Sequence, residues 1–138
     1  MRAIFASLLV VSFTALLGDD KPVDFLRDVR PILAEKCLIC HGPDDQKANL
    51  RLDTHEGIVG DLGGYSAVVP GSLDESELWW RVAEAGGEDR MPPHDSGKFL
   101  TENEVDVLRR WIQSGAEWRE HWGFAPLLAT PAPRVKNG

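Results

Sequence analysis

The chain has 138 residues, enough for one domain with a modest hydrophobic core once a leader is set aside. Fifteen Lys and Arg stand against 22 Asp and Glu, a formal net charge of −7, which argues against nucleic acid or an anionic lipid surface as partner. The chain holds only two cysteines, and both fall in one short run, so its chemistry gathers there.

Met1 to Gly18 carries one basic residue, Arg2, followed by a nearly unbroken apolar run from Ala3 to Leu17. That run is shorter than the about 20 residues of a membrane span and ends in Gly18-Asp19-Asp20-Lys21. It reads as a secretory signal peptide over residues 1–18, with an uncleaved N-terminal anchor as the alternative. No membrane span is expected in the mature chain, and the destination is periplasmic or otherwise outside the cytoplasm.

Phe25, Leu26, Val29, Ile32 and Leu33 recur at helical spacing, which predicts a helix over 24–36. Pro31 cannot donate a backbone hydrogen bond. The expected consequence is either a break, with Asp28 capping a short helix from about Arg30, or one longer kinked helix.

The helix delivers Cys37-Leu38-Ile39-Cys40-His41. Two thiols three positions apart can close thioether bonds to the two vinyl groups along one edge of a protohaem. The histidine next to them is then held beneath the iron as an axial ligand. Other uses of this spacing fit less well. A thioredoxin-like pair wants a strand before it and a helix after it, whereas here a predicted helix precedes the pair and His41-Gly42-Pro43 breaks any helix after it. A zinc site needs about four ligands, and no second cysteine pair or spaced histidine pair lies downstream. A disulfide within so small a ring stabilises little. The reading is one covalently attached haem c, held by Cys37 and Cys40, with His41 as proximal ligand.

Residues 42–71 are glycine-rich and mostly irregular, with a short extended piece at Leu50-Arg51-Leu52 and one helical turn near Thr54 to Ile58. His55 in this stretch is expected to be an exposed polar residue rather than an iron ligand. Ser72-Leu73-Asp74-Glu75 has a capping-box pattern, and Ser76 offers a cap one turn later. Leu78, Val82 and Ala85 are the inward positions of this second helix, and Gly86-Gly87 stops it. Trp79 and Trp80 cannot both face inward, and one of them is expected against the haem.

Arg90-Met91-Pro92-Pro93-His94 carries the remaining chemistry. A thioether sulfur is a soft axial ligand that favours ferrous iron. The other methionine is Met1 in the leader, so a sulfur sixth ligand is Met91, stiffened by the two prolines behind it. His94 is the alternative distal ligand, and an open or water-bound position is the third option. Thr101-Glu102-Asn103-Glu104 is a second capping box, followed by Val105, Leu108, Trp111 and Ile112 on one face and by Gly115. The aromatic run Trp118 to Phe124 is expected to fold back on the domain, and Ala125 to Gly138 reads as a Pro/Ala-rich tail or truncated linker.

Taken together, residues 23–124 resemble the planctomycete-type cytochrome c domain. The matching pieces are Val29-Arg30-Pro31-Ile32-Leu33, Cys37 to Pro43, Leu50-Arg51-Leu52-Asp53 and Val69-Pro70-Gly71. Further along they are Ser76-x-Leu78, Arg90-Met91-Pro92-Pro93, Ser96-Gly97-Lys98 and Leu108 to Ala116. The resemblance implies an all-α, cytochrome c-like domain wrapped around one haem, with a long irregular loop between haem motif and distal ligand. His94 departs from it, since the family more often has another proline there. The family domain usually opens a longer secreted chain, and His121-Trp122-x-Phe124-x-Pro126 resembles the junction to the next part. A free-standing cytochrome and a shortened copy of a longer protein are both consistent with this pattern.

The functional expectation is one-electron transfer by Fe(II)/Fe(III) cycling, with a redox protein as partner. The acidic balance allows that partner a basic docking face. Two other classes stand beside it: a haem-bearing sensing or interaction module of a larger protein, and a peroxidase-like enzyme with an open sixth position.

Overall fold

The computed structural model describes residues 21–83 and 87–120. The expected leader 1–18, Ala85, Gly86, the end of the aromatic run and the tail 125–138 lie outside these residues. Among the described residues the regular elements are all helical, with no strand.

The chain enters through a five-residue π-helical turn, Phe25–Val29, that runs directly into α1, Arg30–Lys36. The proline therefore does not break the element. Pro31 sits in the first turn of α1, where a missing N–H costs least. The widened turn before it lets the Arg30 N–H donate to the Phe25 carbonyl. The cap is Asp24 and not Asp28. The Asp24 carboxylate accepts the Arg27 N–H at 2.9 Å, and the Asp28 carboxylate accepts the Asp24 N–H at 2.9 Å. The two acids thus satisfy donors that a helix start leaves unpaired.

Helix α2, His55–Val59, is the single turn expected after the Leu50–Leu52 stretch. The Thr54 hydroxyl caps it by accepting the Gly57 N–H at 3.1 Å. Helix α3, Glu77–Ala83, begins one turn later than the first of the two serine caps. Ser76 is fully buried, and its hydroxyl serves the preceding loop instead of the helix: it accepts the Val69 N–H at 2.9 Å and donates to the Ser72 carbonyl at 2.5 Å. Helix α4, Glu102–Gln113, carries the complete Thr101/Glu104 capping box. Its buried face is Val107, Leu108, Trp111 and Ile112, so Val107 takes a place that the spacing had assigned to the half-buried Val105.

The core lies where the π turn meets α4. Phe25 packs against Trp111 with ring centroids 5.7 Å apart and against Trp118 at 4.3 Å, which folds the start of the aromatic run back on the domain as expected. Val29, Leu33, Leu108 and Ile112 fill the space around them, all nearly inaccessible to solvent. Helix α3 packs on α4, and the Gly71 N–H donates to the Ile112 carbonyl at 2.8 Å, tying the long loop to the end of α4. This frame leaves the end of α1, the 47–67 loop, α3 and the 91–98 loop around a common space.

Candidate functional site

The two cysteines and His41 lie on one turn that closes on a single carbonyl. The Cys37 N–H still belongs to α1 and donates to Leu33, while the Cys40 and His41 N–H groups both donate to the Cys37 carbonyl, at 3.1 and 3.0 Å. A turn so tight brings residues 37, 40 and 41 to one side. Gly42 makes it possible, because a Cβ there would stand 2.3 Å from the Leu38 carbonyl oxygen. Both cysteines are free thiols. Burial pushes the Cys37 thiol up to about 12, so it is neutral at pH 7, whereas a redox-exchange cysteine needs its pKa lowered.

His41 Nδ1 lies 3.1 Å from the Lys47 carbonyl oxygen. A carbonyl only accepts, so Nδ1 holds the proton and Nε2 keeps its lone pair for a metal. The loop is fastened on both sides of that contact: the Lys47 N–H donates to Cys40 at 2.9 Å and the Leu52 N–H donates to His41 at 2.8 Å.

Cys37, Cys40, His41 and Met91 all line one cavity of about 490 Å³, a volume within the about 300–1,000 Å³ range of cofactor sites. Its walls are apolar, from Leu50, Leu52, Leu62, Ala67, Leu78 and Val82. Four cations also line it, Lys36, Lys47, Arg81 and Lys98, against the carboxylates Glu77 and Asp95. The Met91 loop is held from two directions. The Met91 N–H donates to the Arg81 carbonyl at 2.9 Å, and Lys98 Nζ donates to the Glu35 carbonyl at 2.5 Å, beside the haem-motif turn. Pro92 is buried, and the Met91–Pro92 peptide is cis.

The structure does not bring every candidate to this space. His94 opens a 3₁₀ turn, is exposed, and has Arg90 Nη1 at 3.5 Å from its Nδ1. It is absent from the cavity wall. His55 is exposed, its ring 6.1 Å from that of Trp118, and is likewise off the wall. Neither Trp79 nor Trp80 lines the cavity. Trp80 is 57% exposed with its Nε1–H on the Asp74 carbonyl at 3.0 Å, while Trp79 packs against the core. In place of a tryptophan, the wall from α3 is Leu78 and Val82. Arg81 and the Lys47 carbonyl were not legible as site groups. The first had only a helix-end charge as signal, and a backbone acceptor has none. Among the described residues no group of three or more His, Cys, Asp or Glu is disposed to hold a metal ion.

The donor set fits haem c: two thiols on one turn, an imidazole nitrogen freed by its tautomer, a thioether from a separate loop, apolar walls for the ring and cations for its carboxylates. Such a set of donors is of the kind that c-type cytochrome domains use. The model of the family described as Planctomycete cytochrome C matches residues 37–95, from the first cysteine into the Met91 loop. The resemblance to that family is therefore shown. A search of curated proteins found hydrazine synthase subunit alpha of Kuenenia stuttgartiensis, 28% identical over 130 aligned residues. The match covers 74% of this chain but only 16% of that protein. No solved structure matches significantly.

Proposed function

We propose that this chain is an exported, single-haem c-type cytochrome domain that passes single electrons. Bound haem c supplies the reversible Fe(II)/Fe(III) couple. The chain's residues would do the rest. Cys37 and Cys40 would attach the group through two thioethers, His41 Nε2 and the Met91 sulfur would ligate it, and the leucine walls would shield it from water. Lys47 and Lys98, which line the cavity, would be cations available to carboxylates of the ring. The fold would then hold one haem between the motif turn and the Met91 loop. Export through the leader 1–18 agrees with this chemistry, and no described helix is long and apolar enough to cross a membrane. The net charge of −7 is compatible with a redox partner that docks through a basic face.

The observation that carries the reading is the His41 Nδ1 contact with the Lys47 carbonyl, which leaves Nε2 free for coordination in a cavity shared with both cysteines and Met91. One observation favours a second setting for the same site. The curated relative is several times longer, so the domain can serve as the haem module of a larger protein. A peroxidase-like enzyme has less support, because Met91 lines the cavity and is available to close the sixth position.

The test is to make the chain with a haem-maturation system and denature it. Haem-dependent peroxidase stain should stay with the polypeptide on a gel, and its mass should exceed the apoprotein's by one haem. The double variant Cys37→Ser/Cys40→Ser should lose both signals. Haem released from the parent chain on denaturation would sink the covalent assignment.

A further inference from the structure

Arg81 lines the cavity, yet its guanidinium is spent on protein acceptors. Nε donates to Glu77 Oε1 at 2.8 Å, and Nη2 lies 2.7 Å from the same oxygen. Nη1 donates to the Asp89 carbonyl at 3.3 Å, with the Asp89 carboxylate 3.7 Å away. The backbone of the same residue does a second job, since the Arg81 carbonyl accepts the Met91 N–H at 2.9 Å. One residue in the last turn of α3 thus grips the 89–91 segment twice, by side chain at Asp89 and by main chain at Met91. Two attachments two residues apart fix both the position of the stretch of chain between them and its direction. Glu77, four residues back on the same helix, holds the guanidinium fork so that Nη1 is left to face the loop.

We propose that Arg81 is a positioning residue that presents the Met91 sulfur to the cavity, with Glu77 orienting it. The proposal rests on the reading of Met91 as sixth ligand. The rival role for an arginine here is counter-ion to a haem carboxylate, and Glu77 separates the two. Removing the Glu77 charge loosens a positioning arginine but frees a counter-ion to bind its carboxylate more tightly.

Two measurements test this, one on the apoprotein and one on the haem-loaded chain. In apoprotein Arg81→Ala the Met91 amide should exchange about fivefold faster with deuterium, the change produced by losing a half-exposed charged contact worth about 1 kcal/mol. In the loaded, oxidised chain the methionine–iron charge-transfer band should weaken, and cyanide should displace the sulfur at a lower concentration. Glu77→Gln should shift both readouts the same way by less, and Arg81→Lys, which keeps the charge but not the fork, should fall between parent and Arg81→Ala. These two conservative variants carry the test if Arg81→Ala does not fold. Unchanged exchange and an unchanged band in all three variants overturn the role of Arg81. Slower cyanide displacement in Glu77→Gln overturns it in favour of the counter-ion. A parent chain with no methionine band overturns the Met91 assignment, and the Arg81 role with it, whatever the variants do.

Discussion

The haem-motif turn shows how single atoms decide chemistry. Gly42 is required because the tight turn from Cys37 leaves no room for a Cβ beside the Leu38 carbonyl. The contact of His41 Nδ1 with the backbone carbonyl of Lys47 leaves the lone pair on Nε2. The same scale separates the two candidates for the sixth position. Met91 lines the cavity with its N–H anchored to α3, whereas His94 is exposed three residues further on. Imidazole is the stronger donor to ferric iron, so a bis-histidine site sits at lower potential than a His/Met site. Met91→Ala should therefore abolish the methionine–iron band of the oxidised chain and lower its reduction potential, while His94→Ala should change neither. A native spectrum altered by His94→Ala and untouched by Met91→Ala would reverse the assignment.

At the scale of elements, the start of the chain's first helix depends on a charge as much as on its apolar stripe. The Arg27 guanidinium, 2.5 Å from Asp28, holds the Asp28 carboxyl at about 2, below its ordinary 3.8, helped by the Asp24 N–H. A carboxylate whose folded pKa is depressed stabilises the fold above its unfolded pKa, and that contribution is lost as the pH falls toward the folded value. For Asp28 the window runs from about pH 4 down to about pH 2. Asp28→Asn should lower the melting temperature at pH 7 by about 4–8 °C, corresponding to about 1 kcal/mol in a domain of this size. The gap between parent and variant should close as the pH approaches 2. Thermal melts across that range check it, and a gap that stays constant with pH would show that Asp28 contributes only as a neutral hydrogen-bond acceptor.

For the whole molecule, the core and the cavity compete for the same few apolar residues. The Phe25–Trp111–Trp118 cluster and its aliphatic neighbours form a compact core. Leu52, Ala67 and Leu78 belong both to that core and to the cavity wall. Haem in the cavity would extend the core across those side chains. Burial worth about 2 kcal/mol, the scale of one large apolar side chain, corresponds to about 8–16 °C in a domain of this size. The haem-loaded chain should melt above the apoprotein by at least that range. Equal melting temperatures would mean that the walls do not pack on the group.

Local chemistry was legible in the sequence by itself, because it depends on neighbours within a few residues. The Thr101/Glu104 box, the Thr54 cap, the helical stripe before the motif and the Cys37-x-x-Cys40-His41 spacing are all readable along the chain. Only the tertiary structure decided matters that depend on residues far apart. Pro31 could be read as a break or a kink, and the packing of Phe25 and Val29 into the core accompanies a continuous π turn. Ser72 and Ser76 are equal as caps until burial commits the Ser76 hydroxyl to the Val69–Ser72 loop. The tryptophan pair offered itself to the cavity, but the way α3 packs on α4 gave that wall to Leu78 and Val82. Net charge is a sum over the chain and reads −7, whereas folding gathers four cations and two carboxylates around one cavity. A side chain's type follows from the chain's order, but its direction is set by the elements packed around it.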